Sequence, residues 1–100
     1  MFVHHVLFWL KNPSSKEDYN KLLEGLNSLK SIDVVKTVQV GKPASTNRPV
    51  IDTSYQFSLL LIFDSLEDHD IYQDHPIHLE FVEQYSSLWS KVLIYDSVDA

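Results

Sequence analysis

Cysteine is absent from this 100-residue chain. That excludes a disulfide framework, a thiol nucleophile and any thiolate metal site. Cationic runs are missing too. Eight Lys and Arg residues stand against 14 Asp and Glu, a formal charge of −6, so the chain offers nothing that grips phosphate backbones or anionic lipid. Neither nucleic acid nor a membrane is an expected partner. Long apolar runs are lacking as well: stretches such as Leu59–Phe63 fall far short of the roughly 20 residues that span a bilayer. The opening Met1-Phe-Val-His-His has neither a charged n-region nor an extended apolar core. No secretory signal is expected, and a cytoplasmic location is. There are no internal repeats and no low-complexity segments.

Apolar material, by contrast, is plentiful. Hydrophobic residues make up 44% of the chain and aromatic residues 12%. One domain of this length, residues 1–100, buries only about 60–65% of its unfolded surface, so part of this apolar surface is expected to meet a partner.

In chain order, residues 2–10 read as a strand with both faces apolar: Phe2, His4, Val6, Phe8 and Leu10 on one, Val3, His5, Leu7 and Trp9 on the other. Ser14-x-x-Glu17 has the form of a capping box, and Tyr19, Leu22, Leu23, Leu26 and Leu29 follow at helical spacing to about Lys30. Val34–Val40 is rich in β-branched residues and reads as a second strand ended by Gly41-Lys-Pro43. A polar connection over 44–53 leads to a third strand, Tyr55–Phe63. Asp64-Ser65 caps a short helix carrying Leu66, Ile71 and Tyr72. Beyond Pro76, His78, Val82, Tyr85 and Trp89 fall at i, i+4, i+7 and i+11 as an inward stripe, and 91–98 alternates as a last strand.

The stretch Ile71-Tyr-Gln-Asp-His-Pro-Ile-His-Leu79 concentrates the polar chemistry. Pro76 lacks an N–H and disfavours helical geometry at His75, so one helix stops near Asp74 and another starts with proline in its first turn. On one continuous helix Tyr72 and His78 would point about 240° apart, at ~100° per residue. The break lets them converge. An inward His78, mostly neutral at pH 7, suits a general base, and Tyr72 suits a donor to a developing oxyanion. The plainer alternative is a satisfied core histidine at a helix corner.

The order β-α-β-β-α-β defines an α+β, ferredoxin-like protomer: a four-stranded antiparallel sheet with both helices on one face. The other face, with Leu7, Trp9 and Leu60 or Leu61, would be bare, which predicts a homodimer closed sheet to sheet. His5 on β1, Gly41, Phe63-Asp-Ser65, Tyr72-x-x-His-Pro-x-His78 and the Trp89–Asp96 segment together resemble the stress-responsive α/β-barrel domain family, part of the dimeric α+β barrel superfamily. The resemblance covers nearly the whole chain and implies the same protomer and dimer. It also implies no cofactor.

A plant polyketide cyclase of the family closes its substrate by an aldol reaction. Similarity to it implies His78 as base, Tyr72 as the oriented hydroxyl and His5 as a pocket histidine. Where that enzyme has a further pocket histidine on the third strand, Phe57 stands here. Its first-helix tyrosine falls near Leu26 or Asn27. The expected site is thus a ligand pocket between sheet and helices, with His78 and Tyr72 reacting and His5, Phe57, His75 and Trp89 in contact. The ligand class is a small aromatic or polyketide-like carbonyl compound. A small-molecule-binding protein, a cofactor-free cyclase, isomerase or oxygenase, and a purely structural or regulatory dimer all fit this reading. His75 also suits a helix cap. His75 and His78, with Asp74 or Glu80, do not complete a metal set, so no metal is expected. His4 and His69 read as exposed or structural, and Asp96 as a solvated strand-end carboxylate.

Overall fold

The computed structural model describes residues 1–100. Strand β1, Phe2–Leu10, alternates buried and half-buried positions along its whole length. Phe2, His4, Val6, Phe8 and Leu10 form the buried set, because period-two alternation aims all five at the helices. Helix α1, Lys16–Ser28, follows. Its cap is Ser15 rather than the expected Ser14, for Ser15 Oγ accepts the Asp18 N–H at 3.2 Å. Two adjacent serines offer the same chemistry, and because the helix begins at Lys16 it is Ser15 that stands at the cap position. A 3₁₀ turn over Leu29–Ser31 carries the chain on to where the sequence placed the helix end. Leu22, Leu26 and Leu29 are fully buried. Gly25 lies on the same face because α1 runs close to the later Tyr85: a Cβ at Gly25 would stand 2.7 Å from that ring.

Strand β2 is Thr37–Gly41, shorter than the expected 34–40. Val34 and Val35 are spent on a turn held by the Val35 N–H donating to Ile32 carbonyl at 3.2 Å, with Ile32 buried as the anchor. Strand β3, Phe57–Phe63, begins two residues later than Tyr55. The reason is Gln56, whose side-chain oxygen accepts the Leu10 N–H at 2.7 Å and takes the place of a ladder partner. Helix α2, Leu66–Asp74, is capped by Ser65, and helix α3, Pro76–Tyr85, starts directly after the extended His75. Strand β4, Trp89–Val98, completes the chain.

The sheet order is β2-β3-β1-β4, with every neighbouring pair antiparallel. This is the ferredoxin-like α+β arrangement read from the element order. Under the helices, Phe57, Leu59, Leu61 and Phe63 join the β1 set and Tyr72 in one core. Across the sheet, Val3, Leu7, Trp9, Leu60, Ile62 and Leu93 are only half-buried. Leu60 therefore belongs to the open face, whereas Leu61 is fully buried. The helix layer also stops short of the edge strand. Val92 and Ile94 share the helix-side face with Phe8 and Val6 yet remain 40% and 48% exposed. That gap is where a site can form.

Candidate active site

The gap is a cleft of about 260 Å³ between β1, β4 and the α2–α3 corner, with nine of its twelve wall residues hydrophobic. His4, Tyr72, Gln73 and His78 are the members that carry hydrogen-bonding groups other than Trp89. Pro76 creates the corner as the sequence implied. His75 is extended, ending α2 and starting α3, and the bend brings the Tyr72 and His78 rings to 4.7 Å between centroids.

His78 Nδ1 lies 3.0 Å from the backbone carbonyl of Gln73. A carbonyl only accepts, so Nδ1 carries the proton and Nε2 keeps its lone pair. Burial lowers the His78 pKa, with the nearby His4 and His69 acting in the same direction and the Gln73 contact opposing them. The imidazole is held neutral, as a base requires. Tyr72 is 1% exposed. Burial raises its pKa well above the ordinary phenol value, and no hydrogen bond within the chain offsets the shift. It is a neutral donor with an uncommitted hydroxyl, packed against His78, His4 and Phe63.

His4, not His5, is the first-strand histidine of the cleft. It is 4% exposed, and its Nδ1 donates to the Asp96 carboxylate. Its Nε2 has a long 3.5 Å contact with the Gln73 amide. The β1–β4 register sets His4 opposite Asp96. Burial lowers the His4 pKa despite the attraction of Asp96, and His69 adds to the lowering.

His5 points to the open sheet face, where Nε2 meets Ser58 Oγ at 3.1 Å and Tyr95 is its register partner. One residue along a strand reverses the face, so His5 points away from the cleft that His4 lines. Phe57 is also elsewhere. It is buried in the core against Tyr19 at 4.4 Å and borders a separate groove with Leu23 and Val40. His75 is a cap, its Nδ1 accepting the Ile77 N–H at 3.1 Å. Trp89 does line the cleft, its ring tilted against Phe81 at 5.7 Å between centroids. The expected stripe from His78 through Trp89 is divided, because α3 ends at Tyr85 and Trp89 opens β4. Phe81, absent from that stripe, is the buried residue of α3.

His4 and Asp96 escaped the sequence reading because strand pairing joins them across the length of the chain. The signal for His4 was its place on the Val6–Phe8 face. Gln73 carried no signal, since its contribution to His78 is a backbone carbonyl.

The two lowered imidazole pKa values have a consequence for stability. The folded chain binds protons at His4 and His78 less readily than the unfolded chain does. Their contribution is whole above the ordinary imidazole value, about 6.5, and is lost as pH falls through the folded values. Thermal melts from about pH 7.5 to about pH 5 should therefore show a falling Tm, with a shallower fall in His78→Gln. A Tm that holds level in the parent chain on acidification contradicts buried neutral imidazoles.

A ferredoxin-like α+β protomer with one bare sheet face, and a histidine–tyrosine cleft under the other, defines a class of small α/β-barrel proteins. The chain belongs to the Stress responsive A/B Barrel Domain family, whose model matches residues 2–99. It is 30% identical to olivetolic acid cyclase of Cannabis sativa over 83 residues, 83% of this chain and 78% of that protein. A ferredoxin-like protein of the same family from Mesorhizobium loti superposes with a TM-score of 0.82 at 28% identity, covering 99% of this chain and 96% of that one. Hydroxynitrile lyase from Passiflora edulis shares the fold, with a TM-score of 0.79 at 18% identity and coverage of 99% and 93%. No helix of the chain is long and apolar enough to cross a membrane.

Proposed function

We propose that the cleft binds a small, largely apolar carbonyl compound and that His78 removes a proton from the carbon beside the carbonyl. Tyr72 then donates a hydrogen bond to the resulting enolate oxygen. One observation carries this reading: His78 has one nitrogen committed to a backbone carbonyl and lines an apolar cleft with its ring 4.7 Å from that of Tyr72, whose hydroxyl makes no hydrogen bond within the chain. The chemistry needs no cofactor, because imidazole takes the proton and the dry phenol holds the charge. The 30% identical relative is a cyclase, and aldol closure begins with this proton transfer. The cleft's volume, about 260 Å³, suits a ligand of modest size. Its aromatic wall at Phe81 and Trp89 suits an aryl or polyketide-like compound.

The test is deuterium uptake in D₂O at the carbon next to the carbonyl of aryl methyl ketones and β-diketones, followed by mass spectrometry. Uptake above the buffer rate, saturable in ketone, is expected. Uptake at the buffer rate across the whole panel, with no binding seen by NMR titration, leaves the chain as a structural or regulatory protein.

The functional unit we propose is a homodimer in which two copies close over the face bearing Leu7, Trp9, Leu60 and Leu93. A bare apolar sheet face of this size calls for a cover, and a second copy supplies a self-complementary one. Sedimentation should give twice the 11.6 kDa chain mass, with Leu7→Lys shifting it to monomer. A parent chain that sediments as monomer at concentrations used for assay removes this proposal and leaves the cleft chemistry standing.

A further inference from the structure

We infer a divalent-cation site made by His4, His69 and Asp96, behind the His4 wall of the cleft. One ring nitrogen of each histidine and a carboxylate oxygen of Asp96 lie within 4.8 Å of one another. They come from β1, α2 and β4, so no spacing along the chain betrays them.

His69 supplies the independent observation. Its Nδ1 lies 3.2 Å from the Asp70 carboxylate. A carboxylate accepts, so Nδ1 holds the proton and Nε2 presents a lone pair. That Nε2 is buried and has no hydrogen-bond partner. An orphaned buried acceptor is costly, and a cation would satisfy it. A carboxylate on the far nitrogen of a histidine is also the arrangement that orients metal-bound imidazoles and raises their basicity. The ring is held in place by Phe2 at 4.5 Å, Phe63 at 5.7 Å and His4 at 4.9 Å.

The donor set decides the class of ion. Two imidazoles and one carboxylate match Zn²⁺ and its borderline neighbours such as Co²⁺, while Mg²⁺ and Ca²⁺ prefer oxygen cages. Zn²⁺ binds such ligands at about 2.0–2.2 Å, so His69 would draw inward while the close His4–Asp96 pair opens to admit the ion. The ion takes the place of the proton that His4 Nδ1 shares with Asp96, and that proton is released to solvent. Three protein donors leave a tetrahedral ion one position for water or a ligand. Since His4 and His78 line the same cleft, loading the site places a cation beside the proposed base.

Calorimetric titration of the metal-stripped full chain with ZnCl₂, in two buffers of different ionisation enthalpy, reads both affinity and proton release. Saturable uptake of one ion per chain with proton release is expected. Affinity should fall about 100-fold or more in Asp96→Asn and in His69→Phe, the second chosen because an aromatic ring can keep the packing against Phe2 and Phe63. His75→Asn, which keeps a capping side chain, should bind as the parent does. A parallel thermal melt should show Zn²⁺ raising the Tm of the parent but not of Asp96→Asn. Binding that is absent, unsaturable, or indifferent to both His69 and Asp96 overturns the site. The experiment uses no organic ligand, and ketone exchange is measured with chelator present, so either proposal can fail alone.

Discussion

His78→Gln should lower the rate of ketone deuterium exchange by about 10²–10⁴-fold, the usual worth of a positioned acid–base group. The substitution keeps a polar side chain of similar reach and leaves the backbone of α3 untouched. The imidazole makes a single hydrogen bond, to the Gln73 carbonyl, and a glutamine amide N–H can replace that donor. What glutamine lacks is a basic nitrogen. The rate should therefore collapse while the melting temperature near neutral pH changes little, and ligand binding by NMR titration should persist. In the parent chain the rate should rise with pH through a midpoint below the ordinary imidazole value, because burial lowers the His78 pKa. A His78→Gln protein that exchanges at the parent rate rules His78 out as the base.

Tyr72 separates packing from chemistry. Tyr72→Ala removes a ring that is 1% exposed and meets Phe63 at 5.4 Å and His78 at 4.7 Å. Truncating a buried aromatic of this kind costs about 3–5 kcal/mol, a large share of the roughly 5–15 kcal/mol that holds a domain together. Denaturant melts should show it as a midpoint far below that of the parent. Tyr72→Phe keeps the ring and deletes a hydroxyl that makes no hydrogen bond within the chain, so stability should be held or slightly increased. Exchange should still fall about 10²-fold, the scale of losing one oxyanion donor. Parent-level exchange in Tyr72→Phe would assign the ring a purely structural part.

The elements and their order were legible because local signals agree with tertiary demands. The apolar periods of β1 and β3 and the stripe Leu22–Leu26–Leu29 mark the faces that the core uses. The proline in 71–79 placed the bend, and with it the meeting of Tyr72 and His78. The boundaries that moved did so where a tertiary contact overrides propensity: Val34 and Val35 yield to a turn anchored by Ile32, and Tyr55 to the Gln56 side chain. The site was half legible. The alternation of β1 sets His4 rather than His5 on the helix-side face, one residue from where the resemblance implies a pocket histidine. His4, His69 and Asp96 lie on three elements, and only the β1–β4 register and the docking of α2 make them neighbours. Such a cluster leaves no trace in a linear pattern.

The break at Pro76 also sets how far a change of backbone angle there would be felt along α3. Helix α3 extends from the single extended residue His75 to Tyr85, a lever about 15 Å long at 1.5 Å per residue. A swing of ~10° at the joint would move its far end by roughly 2.6 Å, but His78, some 4.5 Å from the pivot, by only about 0.8 Å. Tyr72 stands on the other arm and does not move with it. Width at the Phe81 and Val82 wall of the cleft would thus change more than the spacing of the base and its hydroxyl partner, once the α1 face at Gly25 were repacked to follow Tyr85. Substitutions that reset this joint and its packing on α1 would resize the cleft without rebuilding the proposed pair, Tyr72 and His78.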